Sequence, residues 1–267
     1  MRVKRKWQWS TTLTKKSAIL ALFNDPTVIT KDRLFIKFIA AGNSDSIQDQ
    51  RNVSHDITPI LEFFRTLPPN EDLSAQQINM KLCWLIGICG FMRADDVQCI
   101  DIAQSDLNPL LVRLAVVFPK ELRGSQRIIK HITIKPHPDP ALCPVQVLLA
   151  YVQRIVRPWA THSHPKDKTY KIVPLVRQAE DYHVPVSAAW IRALMNQVTN
   201  KMLPAGRVPS TRALGSTLAA VSGVPITDIM VQGNWSSPRI FEKHYCLSSS
   251  TSSNFSTSTL GPSGSTY

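Results

Sequence analysis

Four residues in the second half of the chain carry side chains suited to handling a phosphodiester. Arg93 lies in GFMRADDV, Arg212 in PSTRALGSTLAAVSGV, Trp235 in GNWSS and Tyr245 in FEKHYC. An Arg fork stays charged and grips two oxygens at once, which suits the charge that gathers on phosphoryl oxygens in a transition state. An indole N–H is a donor only. A Tyr hydroxyl that attacks phosphorus forms a phosphotyrosine with neither metal nor ATP. Each residue also has a plain structural explanation. Among 31 Lys and Arg any single Arg is most often a solvated surface residue, and an aromatic late in a helix is usually core. The signal is in their order: an Arg at a helix junction, a second Arg opening a helix that ends in Gly223, a Trp in a tight turn, and a Tyr ten residues on.

This order resembles the tyrosine recombinase (phage integrase) family, over residues 55–247. The GNWSS…F…Y ending looks most like the recombinases of eukaryotic mobile elements, the DIRS-like and Crypton groups. The resemblance implies a mainly α fold with a small antiparallel β-hairpin or sheet (α+β), no cofactor and no metal. It implies cleavage and rejoining of double-stranded DNA through a phosphotyrosine. It puts Arg93 and Arg212 on the phosphoryl oxygens and Asp96 behind the first Arg, to orient it. Trp235 takes a position held by His or Trp in the family, and Tyr245 is the nucleophile.

The family also uses a Lys on a β-hairpin to protonate the leaving oxygen. The stretch LLVRLAVVFPKELRGSQRIIKHITIK reads as that hairpin. Val112, Leu114, Val116 and Phe118 alternate, PKELRG is turn-like with Gly124, and Ile128, Ile132 and Ile134 share a face. Lys120 at the turn is the better match and Lys130 in the return strand is the alternative, although hairpins also carry Lys for solubility. Arg123, Arg127 and Lys130 are the basic side chains of this hairpin assigned to DNA.

One position departs from the family pattern. The second Arg usually ends an H-x-x-R motif whose His takes part in proton transfer, and here the first position of that motif is Pro209. General acid–base help contributes typically ~10²–10⁴ in rate, so its loss leaves a slow enzyme or an inactive one that keeps the fold. His131 and His244 are two substitutes between which the sequence does not choose. Three functions fit: an active recombinase, a non-catalytic DNA-binding relic of one, and a topoisomerase of the related single-strand type.

Composition agrees with a polyanionic partner. The chain has 267 residues, a net charge of +12 and a hydrophobic fraction of 43%, enough for one good core. Its basic balance suits DNA rather than a membrane surface, since no basic amphipathic helix stands out. Cys83, Cys89, Cys99, Cys143 and Cys246 form no C-x-x-C pair and no zinc-finger spacing. Several lie in apolar runs, pointing to a reducing intracellular compartment. The longest apolar stretch, LCWLIGICGFM, falls short of the ~20 residues a membrane span needs. The KRK cluster near Met1 reads as a nuclear address. No small-molecule substrate is implied, and family members work as tetramers on DNA.

Residues 1–54 are expected to be a basic arm and a remnant of an N-terminal helical DNA-binding region, residues 55–247 the catalytic domain, and residues 248–267 a disordered Ser/Thr-rich tail. The segment before residue 55 is shorter than the family's usual N-terminal domain, which makes a truncated or misassembled copy the expectation. Within the catalytic region, Ser74 and Gln77 make a capping box for a helix reaching Cys89. ADDVQCI begins another helix, Pro144 opens one that Pro158 stops, and Ser187 caps the next. Gly223 closes the helix that carries Arg212, and Pro225 and Pro238 begin the last two.

Overall fold

The computed structural model describes residues 9–44, 56–120, 122–123, 126–156, 160–202, 209–238 and 241–242. The chain divides into two compact units, Met1–Gln50 and Arg51–Tyr267. In the first unit lie α1 (Trp9–Leu20), α2 (Thr27–Thr30) and α3 (Arg33–Ser44). Asp32 starts α3 by accepting from the backbone N–H groups of Leu34 and Phe35 at 2.8 and 3.0 Å. Helix α1 begins inside the stretch whose charge reads as an arm. Trp9 gives it a packing partner, meeting Phe38 edge to face with ring centroids 5.8 Å apart.

The second unit is built around α5 (Ala75–Cys89), which is buried without a break from Ile78 to Ile88. A helix buried on every side has to be enclosed by other elements. α4 (Thr58–Thr66), α7 (Pro144–Tyr151), α8 (Ala188–Met202) and α9 (Thr211–Val221) contribute to the core that encloses it. The expected capping box is present: Ser74 Oγ accepts from the Gln77 N–H, and the Gln77 side chain accepts from the Ser74 N–H. Trp84 anchors the middle of α5, its ring against Phe64 and its Nε1–H donating to Thr199 Oγ1 at 3.1 Å.

Helix α9 crosses α5 at close range. A Cβ on Gly215 would collide with the Ile88 backbone, so the absence of a side chain is what permits this approach. Ser210 caps α9 by accepting from the Ala213 N–H, and Gly223 follows its end at φ 83°, as the sequence predicts. α10 (Ile226–Gly233) starts after Pro225, and Asn234 closes it in the left-handed conformation at φ 53°.

The sheet has three antiparallel strands in the order β1 (Ile100–Asn108), β2 (Leu111–Val116), β5 (Lys130–Ile134). β2 and β5 are the expected hairpin, with Val112 opposite Ile134 and Val116 opposite Lys130. At its far end β3 (Leu122–Arg123) pairs with β4 (Gln126–Arg127). Ile132 and Ile134 are buried, but Ile128 lies before β5 and is only half-buried, so it does not extend their face. Gly124 and Pro158 lie outside the described residues.

Two strand elements were not legible. ADDVQCI makes only one short helix, α6 (Ala94–Gln98), before β1 begins at Ile100. β1 escapes a period-two reading because its register shifts between Asp101 and Asp106 and its exposure does not alternate. The second is the hairpin of β6 (His162–His164) and β7 (Asp167–Ile172), whose polar sequence lacks strand signals. Among the described residues no helix is long and apolar enough to cross a membrane.

Candidate phosphodiester-binding site

The site grows from the junction after α5. Gly90 ends that helix, Phe91 takes a left-handed φ of 47°, and Arg93 becomes the residue preceding α6. The backbone N–H of Arg93 donates to Asp96 Oδ2 at 3.1 Å, the capping geometry of a helix first turn. The same oxygen faces three cations: Arg93 Nη1 at 3.9 Å, Lys130 Nζ at 3.9 Å and Arg212 Nη1 at 3.8 Å. Asp96, Lys130 and Arg212 are buried, whereas the Arg93 side chain is 27% exposed. One carboxylate therefore gathers three positive charges, and only Arg93 carries part of that excess to the surface.

Arg212 reaches this corner from the first turn of α9 and is enclosed there. Its Nη1 donates to Phe91 O at 2.7 Å and its Nη2 to Gly233 O at 2.6 Å. The guanidinium lies 4.6 Å over the Trp235 ring. Trp235 is buried between Phe91 and Phe241, with ring centroids 6.3 and 5.2 Å away. A Cβ on Gly233 would strike its indole. Arg212 thus ties the α5–α6 junction to the end of α10.

In front of Arg93 lies an open depression of about 410 Å³, lined by Arg93, Asp95, Pro119, Lys120, Arg127 and Lys166. Asp95 is engaged by Arg192 Nη2 at 3.0 Å, so the surface is dominated by cations. Phe118, at φ 51°, organises one wall. Its ring meets His164 and Tyr170 at 4.9 and 5.4 Å, and the Arg127 guanidinium sits 5.2 Å from its centroid. Below it, fully buried His164 accepts at Nδ1 from the Lys166 N–H at 3.1 Å and lies with Nε2 3.2 Å from Val117 O. That pairing needs the neutral ring with its proton on Nε2. Burial, ahead of a backbone hydrogen bond that opposes it, holds the His164 pKa below the usual histidine value.

The structure brings Arg93, Asp96, Arg212 and Lys130 together, with Trp235 against Arg212, and puts Lys120 and Arg127 on the depression beside Arg93. Arg212 and Trp235 do not line that depression. They sit behind it, because the Asp96 charge and the Phe91 and Gly233 carbonyls hold the guanidinium inside. Lys130, assigned above to DNA, is 3% exposed and points inward, since its place opposite Val116 turns it toward Asp96. Its strand neighbour His131 is exposed. Arg123 is described only by its backbone in β3, and Tyr245 and His244 lie outside the described residues. Pro209 is half-buried just ahead of the α9 cap. Sequence reasoning missed Lys166 and Asp95. Lys166 had no signal, and Asp95 was visible only as the neighbour of Asp96. Among the described residues no group of three His, Cys, Asp or Glu side chains could hold a metal ion.

No family model and no curated protein matches the sequence. Solved structures do. The chain is similar to the Tn1549 transposon integrase in complex with circular intermediate DNA, at 13% identity and a TM-score of 0.58, over 96% of this chain and 79% of that one. A variant of the same integrase with circular intermediate DNA matches at 12% identity and a TM-score of 0.58, with the same coverage. The XerA recombinase is more distant, at 11% identity and a TM-score of 0.43, over 70% of this chain and 64% of that one. At such identity the likeness to the integrase establishes the architecture alone: the helix-rich unit with its small antiparallel sheets has the fold of tyrosine recombinase catalytic domains.

Proposed function

We propose that the chain binds double-stranded DNA and cleaves and rejoins it through a phosphotyrosine formed by Tyr245. The observation that carries this reading is the convergence of Arg93, Arg212 and Lys130 on Asp96, directly behind a depression walled by Arg93, Lys120, Arg127 and Lys166. A phosphodiester seated there meets the Arg93 fork, backed by the buried charge of Arg212. The Tyr245 hydroxyl gives up its proton to solvent as its oxygen bonds to phosphorus and the bond to the leaving oxygen breaks, and Lys120 supplies the proton that the leaving oxygen takes up. The similar Tn1549 integrase was solved with DNA, which supports a DNA partner here. The GNWSS ending supports the eukaryotic mobile-element type, DIRS-like or Crypton, the KRK cluster supports action in the nucleus, and the family resemblance supports a tetramer on DNA.

A second reading is a catalytically impaired DNA-binding relic. Two observations favour it: Pro209 stands where the family has a proton-transferring His, and both terminal nitrogens of Arg212 are engaged with backbone carbonyls. A nicked suicide duplex distinguishes the two. The recombinase reading expects a covalent protein–DNA adduct, resistant to denaturation and absent from Tyr245→Phe. Intact binding with no adduct selects the relic, and an adduct that survives Tyr245→Phe removes Tyr245 as nucleophile. Joining two DNA molecules, as against relaxing one, separates a recombinase from a single-strand topoisomerase.

A further inference from the structure

We infer that Lys166, at the turn of the β6–β7 hairpin, is a fourth phosphate-binding cation of the site, contacting a DNA phosphate beside the one held by Arg93 and Lys120. The inference rests on the DNA-binding reading above and adds a residue and an element to it. Nothing in the motif pattern marks Lys166. It lies in HPKDKTYK, far along the chain from the β2–β5 hairpin, and only the tertiary fold brings it to the same depression as Arg93, Lys120 and Arg127.

Its position is built rather than incidental. The backbone N–H of Lys166 is fixed on the buried ring of His164, and its Nζ donates to Phe118 O at 2.9 Å. That carbonyl belongs to the residue whose ring carries the Arg127 guanidinium and which precedes Pro119 and Lys120. The ammonium is therefore held at the depression by the Phe118 carbonyl and by a side-chain contact with Cys99, which together leave one of its three N–H donors. Its charged neighbours on the wall are basic, apart from Asp95, which Arg192 already engages. An ammonium fixed among like charges, with one donor left to spend, is suited to an anion. Spaced phosphates of a duplex supply that anion in a regular row.

Lys168 provides an internal comparison. It lies in the same hairpin, is exposed, and is not among the side chains lining the depression. The experiment measures the affinity of the full chain for a short blunt duplex as a function of salt. Each neutralised phosphate contributes a slope of about −0.9 in log K against log salt. Lys166→Gln is expected to make the slope shallower by about that amount, Lys166→Arg to keep it, and Lys168→Gln to leave it unchanged. The same step is expected when Lys166→Gln is added to a Lys120→Gln, Arg127→Gln chain. No further loss in that background would mean that Lys166 merely anchors the loop through Phe118, and would overturn the inference. Equal losses from Lys166→Gln and Lys168→Gln would overturn it too, as diffuse attraction. A parent chain with no salt dependence would instead remove the DNA-binding reading itself.

Discussion

Arg212 and Asp96 face each other at 3.8 Å, each with its side chain 1% exposed. Two charges so placed have left water, and their attraction offsets that cost only when other contacts complete the geometry. Here they do. Arg212 also holds the carbonyls of Phe91 and Gly233, and Asp96 also accepts the Arg93 N–H. The pair is a strut between α9 and α6, and the two further cations on Asp96, Arg93 and Lys130, give the cluster its excess positive charge behind the depression.

Neutralising this carboxylate removes the counter-charge that Arg93, Lys130 and Arg212 share. Asp96→Asn is expected to lower stability by about 3–5 kcal/mol, the usual cost of breaking a buried pair, measured by urea denaturation. A loss below about 1 kcal/mol, the range of exposed pairs, would show that the three cations are held by other means.

Removing the Tyr245 hydroxyl alters no charge at neutral pH, so Tyr245→Phe should bind duplex DNA as the parent does, with the same steep salt dependence. Titration across low and moderate salt checks this. A marked drop in affinity would mean that the residue grips DNA rather than only reacting with it.

Pro209→His restores a proton-transfer group three residues before Arg212. In a chain that still cleaves, adduct formation is expected to rise, toward the ~10²–10⁴ that general acid–base help contributes. Pro fixes φ ahead of the α9 cap, so the His chain must first be shown to keep the parent's melting temperature. An unchanged rate in a folded variant would count against Pro209 as the limiting defect.

His164 gives the fold an acid limit. Its pKa in the folded chain is depressed by burial from an ordinary value of 6.5, so below that value the unfolded chain takes up a proton that the folded chain resists. Stability is then complete above the ordinary value and is lost as pH falls through the folded pKa. His162 shifts the same way, from burial and then the Arg177 charge. Protonation would also put a hydrogen on Nδ1, where Lys166 N–H now donates. Melting temperature should fall as pH drops from neutral into the acid range, and His164→Gln should reduce that dependence. An unaltered pH profile in the variant would locate the acid sensitivity elsewhere.

The features readable from the chain were those whose partners are near in sequence. Ser74 and Gln77 satisfy each other across one helical turn, and Gly223 supplies the positive φ that a side chain resists. The β2–β5 hairpin was legible because one buried face imposes a period of two. The order of Arg93, Arg212 and Trp235 was likewise written in the sequence, and so was the loss of the His at Pro209. What each Arg does with its charge was not. Arg93 stays at the surface and Arg212 is enclosed because Gly215 lets α9 close on Ile88, carrying the guanidinium to carbonyls distant along the chain. The choice between Lys120 outside and Lys130 inside follows from strand register beside Asp96. Lys166 joins the site only because a hairpin with no apolar pattern of its own folds against Phe118. Local hydrogen bonds need only neighbours, whereas burial of a charge depends on every element that excludes water from it.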